Sequence, residues 1–419
     1  MAQSLWNFSR PCAIGLALLS SLAALSCGGG GNGGSSGSGG GPPPPAANEV
    51  AVIVDSGPDP ATNATVNTLY TTVTVCVPGS TNQCQTIDHI QVDTQSNGLR
   101  ILASVLTLSL PVTMASAGNS LVECAQFASG YSWGPVAMAD MQVSGEKASS
   151  IPIQVIGSAN FAAVPAACSA IGPAEDTVTA FGANGLLGIG VFAQDCGPGC
   201  PASSGFYYSC SQNSCVEIAP PTQVENPVPL FATDNNGSII DLPSVVAPGA
   251  VTLSGSLIFG IDTQSNNASG AETVLTVDPG MGTFTTVFSG KSFGRSIIDS
   301  GSNGTFFDDS GSNTSINRCS STGTNSNSAL FYCPNSTLNL SATLTGLNGV
   351  NFVENFSVDN AQTLFKNYST FSVMPTLSGT YSASATTFDW GLPFFYGRRI
   401  ATAIEGRTTS VATGPYMAF

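Results

Sequence analysis

Two short segments carry the residues best suited to chemistry. Val92-Asp93-Thr94-Gln95-Ser96-Asn97-Gly98 and Ile298-Asp299-Ser300-Gly301-Ser302-Asn303-Gly304 match at Asp, Ser, Asn and Gly, and their aspartates lie 299 − 93 = 206 residues apart. Two such carboxylates brought within about 3 Å cannot both ionise. They share one proton, so that one serves as general base while the other serves as acid. Other chemistries lack residues. His89 is the only histidine, which excludes a two-histidine zinc motif and leaves a serine or cysteine nucleophile a single candidate base. His89 shares strand parity with Gln91 and Asp93, but a surface or hydrogen-bonded structural histidine is the plainer reading.

The elements that would position these groups read as strands. Lys, Arg and Glu are scarce, 8% of the 419 residues are charged and 42% hydrophobic, and there are 47 Gly and 26 Pro. That composition favours strands and turns around a large core or two coupled ones. Val251, Leu253, Gly255, Leu257, Phe259 and Ile261 alternate with Thr252, Ser254 and Ser256, the pattern of a half-buried strand. A second pair of segments reinforces the duplication. Gly185 of Asn184-Gly185-Leu186-Leu187 lies 185 − 93 = 92 residues after the first aspartate, and Gly391 of Trp390-Gly391-Leu392-Pro393 lies 391 − 299 = 92 after the second. The shared spacing makes chance similarity in a Gly-rich chain the weaker account.

At these residues the chain resembles the pepsin-like aspartic peptidases, which carry one Asp-Thr/Ser-Gly-Thr/Ser motif per lobe, each followed by a hydrophobic-hydrophobic-Gly element closing a ψ-shaped loop. Ile297 to Ser302 matches the second motif. Phe181 to Gly190 resembles the first glycine element, Trp390 to Glu405 the second, and Gly255 to Asp262 the strand that opens the second lobe. The resemblance runs in order over residues 47 to 419. It implies an all-β, two-lobed fold with an interlobe cleft, a peptidase using an Asp93/Asp299 dyad and an activated water, no cofactor or metal, and a polypeptide substrate. It also implies supporting roles: Ser96 and Ser302 for the outer carboxylate oxygens, Thr94 and Ser300 bracing the two loops, and the Gly301 amide on Asp299. Tyr131 and Gly134, in Tyr131-Ser132-Trp133-Gly134, resemble the Tyr-x-x-Gly turn of the family's flap, with a buried core aromatic as the alternative for Tyr131.

One position departs from the pattern. Gln95 stands where the first motif has glycine, and a side chain there is expected to crowd the catalytic water or shift the loop. The rival function is therefore a non-catalytic protein that keeps the cleft to bind peptide or glycan, with the two aspartates as hydrogen-bonded turn carboxylates. Asp262-Thr263-Gln264-Ser265-Asn266 repeats the letters of the first motif but has no glycine element at the right distance, and reads as a decoy.

The first residues speak of export. Arg10 precedes an apolar stretch, Ala13 to Leu25, about as long as a signal-peptide core and too short to span a bilayer. Ala23-Ala24-Leu25-Ser26-Cys27 resembles a bacterial lipobox, which makes Cys27 the lipidated residue. Gly28 after it resembles lipoproteins sent to the outer membrane, and plain secretion is the alternative. The expected organisation is a signal peptide (1–26), a Gly/Ser/Pro tether (27–46), an N-terminal β lobe (47–235) and a C-terminal β lobe (236–419), with the membrane met through the lipid anchor alone. Oligomeric state is not encoded in any visible pattern. The net charge of −15 with only 10 Lys plus Arg leaves no basic face for nucleic acid. Setting aside Cys12 and Cys27 leaves ten cysteines, the mark of disulfides in an exported chain. Cys76 with Cys84, Cys210 with Cys215 and Cys319 with Cys333 are the local pairs. Cys124, Cys168, Cys196 and Cys200 stay open, and a metal cluster at Cys196 and Cys200 is the rival reading.

Overall fold

The computed structural model describes residues 46–116, 118–197, 200, 205–211, 214–320, 330–381 and 384–419. The signal-peptide reading, Cys27 and the tether up to residue 45 lie outside the described residues. Among these, strands dominate, and the longest helix, Ala361–Asn367, has 7 residues. Alternation drives the strands: Leu69–Cys76 buries Leu69, Val73 and Val75 and turns Thr72 to solvent. The expected half-buried strand forms at Leu253–Phe259, but its end is covered on both faces. Leu257 and Phe259 enter the main core, while Ile258 packs with Ala401 and Tyr416 on the other side. It is a central strand, flanked by Glu49–Val54 and Gly237–Leu242.

The architecture is all-β and two-lobed, and the same local topology occurs in each half. In the first, Cys84–Asp93 runs parallel to Gly185–Ile189, which in turn pairs antiparallel with Asn97–Leu102. In the second, Lys291–Ile298 runs parallel to Phe388–Trp390, which pairs antiparallel with Thr305–Phe307. Each glycine-element strand is thus inserted between the strand entering a motif and the strand leaving it. A larger sheet joins the halves through Glu49–Val54, which pairs with Leu253–Phe259 over six residues and with Leu69–Cys76 at Ile53 and Val54.

The ladders correct the register of the sequence duplication. Val92 lies opposite Leu187 and Ile298 opposite Trp390, so the counterpart of Gly391 is Gly188 rather than Gly185. The true separations are 188 − 93 = 95 and 391 − 299 = 92, and the equal spacing seen in sequence came from matching the wrong glycine. Packing explains the right one. A Cβ on Gly188 would lie 2.6 Å from Ser96 Oγ and one on Gly391 would lie 2.6 Å from the Ser302 carbonyl, so each motif loop rests directly on its glycine.

Among the described residues five disulfides form: the three local pairs, together with Cys124–Cys168 and Cys196–Cys200. The last replaces the metal reading of Cys196 and Cys200. Behind the second motif an aromatic cluster fixes the glycine-element strand, with Phe388 stacked 4.7 Å from Phe307 and 4.4 Å from Trp390.

Candidate active site

Asp93 ends the strand Cys84–Asp93, Asp299 follows Lys291–Ile298, and the two loops that come after them meet between the halves. Their backs are locked by reciprocal hydrogen bonds. Thr94 Oγ1 accepts from the Ser300 amide at 3.0 Å and donates to the Ile298 carbonyl at 3.0 Å. Ser300 Oγ accepts from the Thr94 amide at 3.2 Å and donates to the Val92 carbonyl at 2.9 Å. Each hydroxyl spends both functions on the opposite loop, so the loops cannot separate without stranding buried polar groups.

This lock sets the carboxylates face to face. Asp93 accepts from the Gln95 amide and Ser96 Oγ, each at 2.7 Å; Asp299 accepts from the Gly301 amide and Ser302 Oγ, each at 2.8 Å. The two carboxyls hydrogen-bond to each other, which requires a proton between them, and both residues are 0% exposed. Burial first, then the charges of Asp93 and Asp389, push the Asp299 carboxyl well above the usual range, against the opposing Ser302 hydrogen bond. A Cβ on Gly301 would lie 2.7 Å from Asp93 Cγ, so only glycine fits there.

Gln95 departs from expectation in how it obstructs. Its amide reaches Asp93 as a glycine's would, so the loop is not displaced. The side chain instead swings across to the opposite loop, where Nε2 donates to the Ile298 carbonyl at 3.1 Å. A cavity of about 330 Å³ lies above, with Thr94, Gln95 and Ser96 on its floor and Phe127, Arg295 and Tyr381 among its walls. Neither aspartate lines it. Gln95 thus lines the cavity while its side chain is tied to the loop that carries Asp299.

A hairpin of Asn119–Gln126 and Tyr131–Val143 overhangs the cleft. Its tip is residues 127–130, closed by the Phe127 amide donating to the Gly130 carbonyl at 2.8 Å. Phe127 faces the cavity, and Ala128 packs on a cluster containing Phe306, Met374 and Leu377 from the second half. Tyr131 and Gly134 are not at this tip. Tyr131 is buried beside Trp133, Tyr208, Cys124 and Cys168. Gly134 lies inside the strand, where a Cβ would meet the Val155 carbonyl at 1.9 Å. The Tyr-x-x-Gly cue placed the turn too late because Gly134 answers to close strand packing.

His89 stands between Asp55 at 3.3 Å and Asp88 at 3.2 Å, and the Asp55 hydrogen bond raises its pKa, a structural setting. Asp262 accepts from Ser269 and Ser410, which together outweigh burial and lower its pKa, and it takes no part in the dyad's hydrogen bonds. Sequence reading missed Asp389. Fully buried, it places Oδ2 2.7 Å from Ser302 Oγ, and its Oδ1 has no hydrogen-bond partner. The available signal was an acid inside the apolar run Phe388-Asp389-Trp390-Gly391-Leu392. Asn67 was missed as well: its Nδ2 donates to the Asn303 and Met374 carbonyls and its Oδ1 accepts from the Met374 amide and Tyr396 Oη. That network pins the segment before Leu69–Cys76 to the second half.

The model of the family described as "Protein of unknown function (DUF3443)" matches residues 44–419. Among curated proteins no sequence matches the chain. Among solved structures, an aspartic proteinase from Irpex lacteus is similar at a TM-score of 0.47 and 15% identity, over 89% of this chain and 96% of that one.

Proposed function

This chain belongs to the DUF3443 family, whose description assigns no activity, and from the site itself we propose an aspartic endopeptidase of the cell envelope that cleaves extended polypeptide. One observation carries the reading: two buried carboxyls hydrogen-bonded to each other, each held by the amide and hydroxyl of its own loop. Asp299, with its raised affinity for protons, holds the shared proton and delivers it to the departing amide nitrogen. Asp93, stabilised as the anion by Gln95 N and Ser96 Oγ, takes the proton of the attacking water. The chemistry calls for no cofactor. Phe127 and its hairpin would close over the bound chain, and Gln95 would have to leave the Ile298 carbonyl for water to reach the dyad.

The purified full chain is expected to cleave unstructured peptides between about pH 3 and 6, where one carboxyl of the pair is protonated and the other is not. Chromatography of the digests reads the outcome. Tight binding of diverse peptides with no cleavage would instead support the second reading, a binding protein for peptide or glycan. What favours that reading is that Gln95 lines the cavity, tied to the opposite loop, while neither aspartate lines it.

Five disulfides place the chain in an oxidising, extracytoplasmic setting. We further propose that Cys27 is lipidated and holds the protein to the outer membrane, each buried methylene contributing about 0.8 kcal/mol. Cys27→Ser is expected to shift the protein from the detergent phase to the aqueous phase or leave it unprocessed. A wild-type protein wholly in the aqueous phase, with its mature N-terminus elsewhere, would remove the proposal.

A further inference from the structure

We infer that Asp389 is a neutral carboxylic acid in the folded protein, donating its proton to Ser302, and that it is thereby a positioning residue for Asp299. The effect on rate rests on the peptidase reading; the protonation and the positioning do not.

The argument begins with one hydrogen. Ser302 Oγ lies 2.8 Å from Asp299 Oδ2 and 2.7 Å from Asp389 Oδ2, both hydrogen-bonding distances. A hydroxyl has a single hydrogen to donate and lone pairs to accept with. It can satisfy one carboxylate only, so the other carboxyl must itself carry a proton and donate to Oγ. Asp299 already accepts from the Gly301 amide and shares a proton with Asp93. Asp389 has nothing else: Oδ1 lacks a partner, the residue is 0% exposed, and among the described residues no Lys or Arg forms an ion pair with it. An ionised carboxylate in that setting would be a buried charge with one hydrogen bond, whereas a neutral acid there keeps its hydrogen bond at little cost. The proton therefore sits on Asp389, and the chain of donation runs from Asp389 through Ser302 to Asp299.

The first half supplies the contrast. Asp389 lies opposite Ile297, two residues before Asp299, and the same ladder position opposite Gln91, two residues before Asp93, is Leu186. There Ser96 Oγ gives its hydrogen to Asp93 with no second carboxyl competing. The halves thus differ by one acid, and with it by one additional donor behind the second catalytic hydroxyl. With its hydrogen-bonding capacity filled from behind, Ser302 has one direction left for its own hydrogen, the outer oxygen of Asp299.

The titratable groups facing Asp389 are Asp299 and Asp93, from the two loops, and the buried Tyr381, with Arg295 acting on Tyr381 from the exposed side of the cleft. Burial, and secondarily the charge of Asp93, hold the Asp389 carboxyl well above the ordinary range, with the Ser302 hydrogen bond opposing. Because the folded-state value is raised, proton binding stabilises the fold. That contribution is complete below the unfolded value, about 4, and is lost as pH rises through the folded one.

The test uses the full chain labelled with carbon-13 at the aspartate carboxyls. The resonance missing from Asp389→Asn is expected to keep the position of an undissociated acid at pH about 7, far above an ordinary aspartate midpoint of about 4. A resonance that titrates at that ordinary midpoint overturns the inference. Positioning is read on the Asp299 resonance, assigned through Asp299→Asn. It should stay in place in Asp389→Asn, whose amide still donates to Ser302, and move in Asp389→Leu, which copies Leu186. Equal behaviour in both variants overturns the positioning role, and should the leucine variant not fold, Asp389→Ala serves in its place. In a chain that cleaves peptide, Asp389→Leu lowers kcat by about 10- to 100-fold with KM retained, and Asp389→Asn restores it. A chain that cleaves nothing defeats the peptidase reading while the two resonances still decide this one.

Discussion

On the peptidase reading, Asp93→Asn and Asp299→Asn are each expected to lower peptide cleavage by about 10²- to 10⁴-fold, the range associated with losing a general acid or base. Either change leaves a group of the same shape that still accepts from the loop amide but can no longer exchange a proton with its neighbour. The loops should hold, because Thr94 and Ser300 lock them through bonds that do not involve the carboxyls. Circular dichroism should therefore show both variants folded while chromatography shows intact peptide. The pH dependence has a definite sign. Asp299 has a raised affinity for its proton, so the wild-type rate is expected to fall as pH rises through that raised value and the shared proton is lost. It is expected to fall again in strong acid, when the pair has taken up its second proton. Cleavage that survives both substitutions would show that the reaction occurs elsewhere.

Gln95→Gly is expected to raise the rate by up to about 100-fold, the scale on which a misplacement of about 1 Å at a reacting centre is felt. The substitution keeps the amide that Asp93 accepts from and removes the side chain reaching Ile298. Residue 95 has no positive φ, so glycine is not needed there for its backbone freedom, and the gain would come from clearing the path to the dyad. Gln95→Ala separates the two obstacles. If alanine matches glycine, the amide arm was the barrier; if alanine stays slow, the Cβ was. A folded wild type and a folded Gln95→Gly that are both silent on diverse peptides across about pH 3 to 6 would hand the site to the binding-protein reading.

The duplicated motif made Asp93, Asp299 and their hydroxyl supports legible, because the letters that brace one loop brace the other. Local disulfides were legible for a similar reason, since short spacings leave few partners. What stayed hidden depended on register. Gly188 and Gly185 differ by three residues in a run rich in both leucine and glycine, and only the ladder shows which one lies under the motif loop. Tyr131 and Gly134 had the letters of a turn, but Gly134 is required by the Val155 carbonyl on the neighbouring strand, a contact absent from local sequence. Asp389 bears on Ser302 from 87 residues further on, and no spacing rule links them. Gln95 was visible as a departure, but whether it pushed the loop or lay across it depended on where its amide found an acceptor.

The six-residue pairing of Glu49–Val54 with Leu253–Phe259 has a consequence for how the chain tolerates proteolysis. Cleavage on the N-terminal side of Glu49 would leave every pair of that ladder in place. Loss of Glu49–Val54 as well would uncover the edge of Leu253–Phe259, whose buried end is Leu257, Ile258 and Phe259. An open apolar edge of this kind recruits strands from other copies. Harmless trimming and self-association are therefore separated by the six residues of that one strand.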